Sequence, residues 1–361
     1  MANLASATLR LWIYTGQYGT NEPNNPTYTL YKEKAASQDI IVFEIADLVN
    51  DYIDIVYTGD YYNIQQTAWV RWEVVRTYDD TSTDTDLKGE GIAFKGYGYF
   101  QDAINPELSQ DLLQSNLTIY HNCSEQLYIP ILTGENGVFK VDYFNGATLV
   151  SSNNFGNTIT PITADITSYS ADTTILTADM EYLLNTNSNP VTTPTSPTAP
   201  FNKVVITTAN GGTIVLDVIC VEEPKQTPYK VSFVNKFGVI QDLWFFKRRD
   251  NTINISKEEY KENTLEVNSV VNYSLNQATK IPYNFKAQKS IRLNTGFVVE
   301  EFNEVIQQLL LTENAWIHEN GVVTPVVPKT SSLEYKTSIN DKVINYTVEF
   351  DYAFNEVNTI R

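Results

Sequence analysis

Cysteine, histidine and methionine are nearly absent from this 361-residue chain, at two residues each. Two cysteines, Cys123 and Cys220, cannot build a disulfide framework, and no CxxC spacing offers a structural zinc site. They could pair if the fold brings them together, but buried free thiols are the expectation. The two histidines, His121 and His318, lie far apart in sequence. No HExxH, GxSxG, GxxxxGK[ST] or GxGxxG occurs in usable context. The glycines of Gly89-Glu90-Gly91 and Gly96-Tyr97-Gly98 do not sit between a strand and a helix, so no phosphate cradle is expected. Asp79 to Asp86 places four carboxylates in eight residues, but the glycine and the bidentate glutamate of a calcium loop are missing; a solvated hairpin loop is the expectation. No cofactor and no metal site is expected.

Positive charge is also scarce. Against 43 Asp and Glu stand 25 Lys and Arg, a formal charge of −18. A surface of that sign is repelled by phosphate backbones, which excludes nucleic acid as a general partner, and it suits an anionic membrane poorly. Long apolar runs are lacking as well. In the first fourteen residues Arg10 interrupts the sequence, while Leu9, Leu11 and Ile13 alternate as in a strand. Neither a signal peptide nor a membrane span is expected, and the chain is expected to fold in a cytoplasm.

What is abundant is strand-forming. The chain holds 23 Tyr, 16 Phe and 5 Trp. Period-two alternation recurs along it, which argues for a mainly β, multi-domain protein. Two β-sandwich-like domains are expected before an α+β domain in which one helix packs on an antiparallel sheet. The first spans residues 1–104. There Val70, Trp72 and Val74 share one face of a strand at Ala68 to Arg76. Ile40 to Phe43 reads as a short strand leading into a helix through Ile45, Leu48, Val49 and Tyr52. A short helix starting at Pro106 links to an immunoglobulin-like domain over 105–224. Asn145-Gly146 marks a hairpin there, and a Pro/Thr-rich loop covers 185–200.

The C-terminal domain, 225–361, opens with the stretch around which the chain is organised, Tyr229 to Arg249. Tyr229, Val231 and Phe233 alternate, Asn235-Lys236-Phe237-Gly238 makes a turn, and a second strand ends in four large apolar residues. Leu243, Trp244, Phe245 and Phe246 cannot all face one core. Either both faces of that strand are covered, or one is kept for a partner. Lys247, Arg248 and Arg249 follow as the only dense basic cluster. They read either as a solvated strand end or as a docking patch for an acidic neighbour. These seven residues are the interface candidates. Beyond them a short helix is expected near Ser256 to Glu262, strands at Leu265 to Leu275 and Lys286 to Leu293, and a longer helix from Phe297 to Glu313. A hairpin at Glu319-Asn320-Gly321 and a last strand with Ile344, Tyr346, Val348, Phe350 and Tyr352 on one face complete the domain.

Three segments carry a resemblance: Thr227 to Arg248, Leu293 to Ile317 and Ser338 to Arg361. Their pattern of aromatics, turns and helix resembles structural proteins of tailed bacteriophages, over roughly the last 140 residues. The resemblance implies a virion component of the tail or baseplate, with the head–tail neck as a second placement. It implies assembly in a host cytoplasm with other virion proteins and copies of itself. It carries over no catalytic or ligand-binding residue. Two other readings stand beside it. A host-surface or carbohydrate-binding adhesin would use aromatics such as Tyr61, Tyr62, Trp69, Tyr97 and Tyr99. An enzyme would need an unrecognised acid pair, and neighbours such as Glu222-Glu223 or Glu300-Glu301 have no apolar pocket in their sequence context to raise one carboxyl.

Overall fold

The computed structural model describes residues 3–15, 21–36, 40–59, 61, 67–102, 112–122, 124–125, 127–132, 139–155, 175–176, 201–207, 212–263, 265–267, 271–273, 276–330 and 344–356. The chain is mainly β, with several sheets that are largely antiparallel. Each of the three large sheets comes from its own stretch of sequence.

The first sheet contains β1 (Leu4–Tyr14), β2 (Tyr28–Glu33), β3 (Thr67–Tyr78) and β4 (Thr83–Phe94), in the order β2-β1-β3-β4. One face carries Leu9, Leu11, Ile13, Ala68 and Val70, with Trp72 and Val74 partly buried beside them. Over that face lie α1 (Ala46–Asn50), through Val49, and Ile53. Trp72 stands directly opposite Gly89. A Cβ on Gly89 would come within 2.5 Å of the indole, so the glycine lets the ring lie flat across β4. The expected strand at Ile40 to Phe43 is not one. Residues 40–45 have no ladder partner among the described residues; β2 reaches them through a side chain, Lys32 Nζ donating to the Val42 carbonyl at 2.6 Å.

The second sheet, in the order β5-β11-β10-β7-β8, uses β5 (Thr118–His121), β7 (Phe139–Asn145), β8 (Thr148–Phe155), β10 (Lys203–Thr207) and β11 (Thr213–Cys220). A separate pair joins β6 (Ile131–Leu132) to β9 (Ile175–Leu176). Val141, Tyr143, Val204, Ile206, Leu216 and Val218 point into one core, as the alternation expects. Gly146 turns the β7–β8 hairpin at φ 62°. Strands β5 and β11 are parallel, with Cys220 opposite His121. Cys220 is disulfide-bonded and sits at an exposed strand end. This corrects the expectation of buried free thiols: the crossover to a parallel partner, which spacing does not reveal, brings the end of β5 beside it. The expected helix at Pro106 and the Pro/Thr-rich loop lie outside the described residues.

The third sheet has seven strands in the order β13-β12-β18-β19-β20-β17-β14. They are β12 (Tyr229–Val234), β13 (Ile240–Phe245), β14 (Asp250–Lys261), β17 (Lys280–Val298), β18 (Ala315–Glu319), β19 (Val322–Pro328) and β20 (Ile344–Tyr352). Between β14 and β17, β15 (Leu265–Val267) pairs with β16 (Val271–Tyr273). Lys247 N–H donates to the Asn294 carbonyl at 3.2 Å, which brings the end of the β13 edge back towards β17. The sheet thus curls on itself, and β14 projects from it together with the paired first half of β17. Helix α2 (Phe302–Leu311) packs Phe302, Val305, Ile306 and Leu309 into the main core with Phe233, Phe245, Ile317 and Phe350. Each such side chain contributes about 1.5–3 kcal/mol by leaving water.

Two helix expectations are corrected here. The longer helix begins at Phe302, because Phe297 and Val298 pair with Asn345 and Ile344 as the end of β17. The bulge before them is made by Gly296 at φ 79°. Ser256 to Glu262 is not a helix: through Lys261 it is strand β14, paired with β17. Its acids resembled a helix first turn, whereas Ile253, Ile255 and Lys257 follow the period of a strand.

Candidate functional site

Strands β12, β13 and β18 are covered on both faces. Val231, Phe233, Leu243, Phe245 and Ile317 face the main core. Val234, Ile240 and Trp316 pack with Ile55, Tyr57 and Tyr61 from the first stretch of the chain. Trp244 meets the His121 ring edge-on at 6.0 Å and stacks near Phe246 at 6.3 Å. The four apolar interface candidates, Leu243, Trp244, Phe245 and Phe246, are therefore buried inside this chain and present no free face. Of the two sequence readings, coverage of both faces is the one realised. The reason is tertiary: residues 53–61 and strand β5 fold back over the outer face. Lys247, Arg248 and Arg249 are exposed and form ion pairs with Glu223, Asp250 and Glu319. Such solvent-screened pairs contribute little to stability.

Under the 53–61 segment lies a buried polar cluster. Ser232 Oγ donates to Asp242 Oδ1 at 2.5 Å and lies 2.8 Å from His318 Nε2. Tyr57 OH is 3.2 Å from the same nitrogen, and Tyr61 OH donates to Asp242 Oδ2. Lys230 Nζ donates to Tyr61 OH at 3.1 Å. Burial pushes both phenols well up, with the nearby Asp242 charge adding to it. Burial and the Lys230 charge push His318 down to about 4. Serine, histidine and aspartate meet here, but the order is wrong for a nucleophile relay, in which the imidazole stands between hydroxyl and carboxylate. Here the hydroxyl stands between the other two and is fully buried. The cluster joins residues 57–61 to β12, β13 and β18. Beside it opens a cleft of about 320 Å³, lined in part by Lys230, Trp244, His318 and Glu125.

A second buried network sits at the Asn235–Gly238 turn. Ser115 Oγ lies 2.6 Å from both Gln241 Oε1 and Gln308 Oε1. Asn235 Nδ2 donates to the Leu113 carbonyl at 2.7 Å and to Gln241 Oε1 at 2.9 Å. Glu304 Oε1 accepts from Gln308 Nε2, Lys236 Nζ and Tyr99 OH. Burial acts to raise the Glu304 carboxyl, but these donors win and hold it below its ordinary value. Tyr97 N–H donates to the Lys236 carbonyl at 2.8 Å. Gly238, at φ 77°, has no room for a side chain, since a Cβ would lie 2.7 Å from the Lys95 carbonyl carbon. The turn read from sequence as a hairpin signal is thus also the place where residues 94–99 and 112–116 dock.

The most exposed regular element is the β14–β17 ribbon. All twelve residues of β14 are exposed, as are those of β17 from Pro282 to Lys286. Pairing places Ile253 opposite Lys289 and Ile255 opposite Ala287. By alternation Phe285 shares their face. Ile253, Ile255 and Phe285 are all exposed there, Ile255 at 63 %. A bulge near Asn284, at φ 48°, turns the ribbon, and beyond it Tyr260 and Tyr283 meet edge-on at 5.8 Å. Sequence reasoning missed this ribbon. The signal was the alternation of Ile253 and Ile255 with Thr252 and Asn254.

The aromatics considered for sugar stacking lie elsewhere. Tyr61 and Trp69 are buried, and Tyr97 and Tyr99 are half-buried against Glu304 and Lys236. Tyr62 lies outside the described residues. Asp80 accepts from the Ser82 N–H at 3.0 Å, closing the acidic turn. Among the described residues no group of three or more His, Cys, Asp or Glu could hold a metal ion, and no helix is long and apolar enough to cross a membrane. The chain matches no family model, no curated protein and no solved structure.

Proposed function

We propose that this protein is a structural component of a tailed-bacteriophage virion, in the tail or baseplate, with the head–tail neck as the second placement, and that it acts by protein–protein assembly. The observation that carries the assembly reading is the exposed ribbon. A two-stranded ribbon is marginal in water by itself, and an edge strand of twelve exposed residues is a template for another chain. Its surface isoleucines, phenylalanine and tyrosines are the composition of a contact patch. The remainder of the molecule supports the same role. Two buried polar networks tie the three stretches together, and one two-stranded arm projects from them. The virion placement rests on the resemblance of the last 140 residues. Labelling purified particles of the phage that encodes this chain with an antibody against it tests the placement. Label confined to the tail or its head-proximal end supports it, and particles free of the protein overturn it.

A further inference from the structure

Residues 53–61 cross the outer face of β12, β13 and β18 as a strap. The described residues of the strap join no strand ladder. Side chains hold it in place. Ile55, Tyr57 and Tyr61 are buried and pack on Val234, Ile240 and Trp316, with Val323 of β19 beside them. Tyr57 meets Trp316 edge-on at 5.2 Å, and Tyr61 stacks on Tyr128 at 4.0 Å. A segment outside the ladders can open by itself, at a lower cost than unfolding the whole chain.

Charge is balanced beneath the strap only while His318 is neutral. Lys230 stands directly opposite His318 in the β12–β18 ladder, and Tyr61 and Tyr57 cover them. Asp242 is the carboxylate of the cluster. Its Oδ2 lies 3.8 Å from Lys230 Nζ, and it already accepts from Ser232 and Tyr61. The Lys230 and Asp242 side chains are 12 % and 10 % exposed. The Tyr128 ring lies 5.3 Å from the same ammonium. To this cluster the strap brings phenols, which burial keeps neutral. A proton on His318 therefore adds a second cation facing Lys230, in a site the strap shields from water. Like charges opposite one another repel, and unpaired buried charge is costly. His318 also lines the cleft of about 320 Å³, so protons reach it with the strap in place. Glu125 and Glu319 stand around that cleft, and Glu319 is engaged by Arg249 and Tyr352. His121 lies across it, with Nε2 2.9 Å from the Glu125 carbonyl and its ring against Trp244. None of these groups is on the strap. They set where the imidazole titrates, whereas the strap sets how dry it is.

We propose that the 53–61 strap is an acid-released latch: protonation of His318 frees it and uncovers Val234, Ile240 and Trp316 as an apolar face, while the core around Phe245 stays closed. Water then reaches both cations, which is what the proton gains from release. The latch does not depend on the assembly reading.

The test puts one thiol under the strap of the full chain, with Ile55→Cys. Cys220 is disulfide-bonded and the chain has two cysteines, so the introduced thiol is the one that a pyridyl disulfide labels. The labelling rate, divided by that of the same variant unfolded at the same pH, gives the open fraction. With histidine at about 6.5 in the open state and about 4 in the closed one, the open fraction is expected to rise roughly twentyfold from pH 7 to pH 5. Adding His318→Gln removes the rise, and adding His121→Gln keeps most of it. Val305→Cys, with the thiol in the main core, reports unfolding of the whole chain and is expected to label at least tenfold more slowly at pH 5. An open fraction at Ile55→Cys that is level with pH, that rises equally with His318→Gln, or that matches Val305→Cys overturns the latch. Amide exchange on the wild type needs no variant. Corrected for the intrinsic effect of pH, protection at 53–61 is expected to fall from pH 7 to pH 5 ahead of the β12–β18 ladder. Protection that stays level there, or is lost everywhere together, overturns it.

Discussion

Ser232 Oγ and His318 Nε2 lie 2.8 Å apart across the neighbouring strands β12 and β18, beneath a segment that comes from the far end of the chain. Ser232 has one proton, and Asp242 receives it. The imidazole N–H is then the donor to Ser232 Oγ. Ser232→Ala removes a group from a fully buried site and leaves Asp242 Oδ1 and His318 Nε2 each one partner short. The expected cost is about 1–3 kcal/mol, measured by chemical denaturation. A variant as stable as wild type shows that the cluster holds nothing together.

Acid weakens the same junction. Histidine in the unfolded chain titrates near 6.5, and burial holds folded His318 near 4. Between those values the unfolded chain binds a proton that the folded chain does not, so stability falls as pH drops from about 6.5 towards 4. Above that window His318 contributes no pH dependence. His121 is displaced downward by burial as well and acts in the same sense. Allowing for partial solvent access, His318 is expected to contribute about 2 kcal/mol of loss. Denaturation at pH 7 and pH 4.5 checks this, and His318→Gln flattens the slope.

Gly89→Ala puts a methyl group into the Trp72 indole, a clash that needs movement of a large, half-buried ring. Overpacking of this kind costs about 1–3 kcal/mol. Trp fluorescence during unfolding reports both the loss and the altered ring environment.

Gly238→Ala is the sharper variant, because it combines positive φ with a contact to backbone at Lys95 and Gly96 that cannot move aside. It is expected to loosen the docking of residues 94–99 on the turn. Limited proteolysis then cuts near Tyr97 and Tyr99 while the core around Phe245 stays protected.

Reduction removes the constraint at Cys220. A disulfide of this kind is typically worth about 2–4 kcal/mol. Thermal unfolding with and without a reductant measures it, with the melting temperature falling in the reduced sample. A Cys220→Ser variant is expected to be insensitive to the reductant.

The amino-acid order by itself determined the local periods. Alternation set the apolar faces of β3, β12 and β20. The Asn145-Gly146 and Asn320-Gly321 turns were legible because Gly146, Asn320 and Gly321 stand at positive φ, which glycine and asparagine adopt most readily. The apolar stripe of α2 was legible too, although its start was not: Val298 fits a helix face and a strand face alike, and only pairing with Ile344 decides between them.

Tertiary structure alone decided what covers each face. The run Leu243 to Phe246 states that two apolar sides exist, but it cannot say that Tyr57, Tyr61 and His121 from earlier stretches reach one of them. The cluster of Ser232, Asp242 and His318 and the parallel pairing that sets Cys220 beside β5 share that origin. They join residues distant in sequence, through contacts that leave no local pattern. The ribbon fell between the two cases. Its alternation was present in the sequence, but its exposure follows from β14 having no second neighbour among the described residues, and what a strand lacks beside it is a property of the fold.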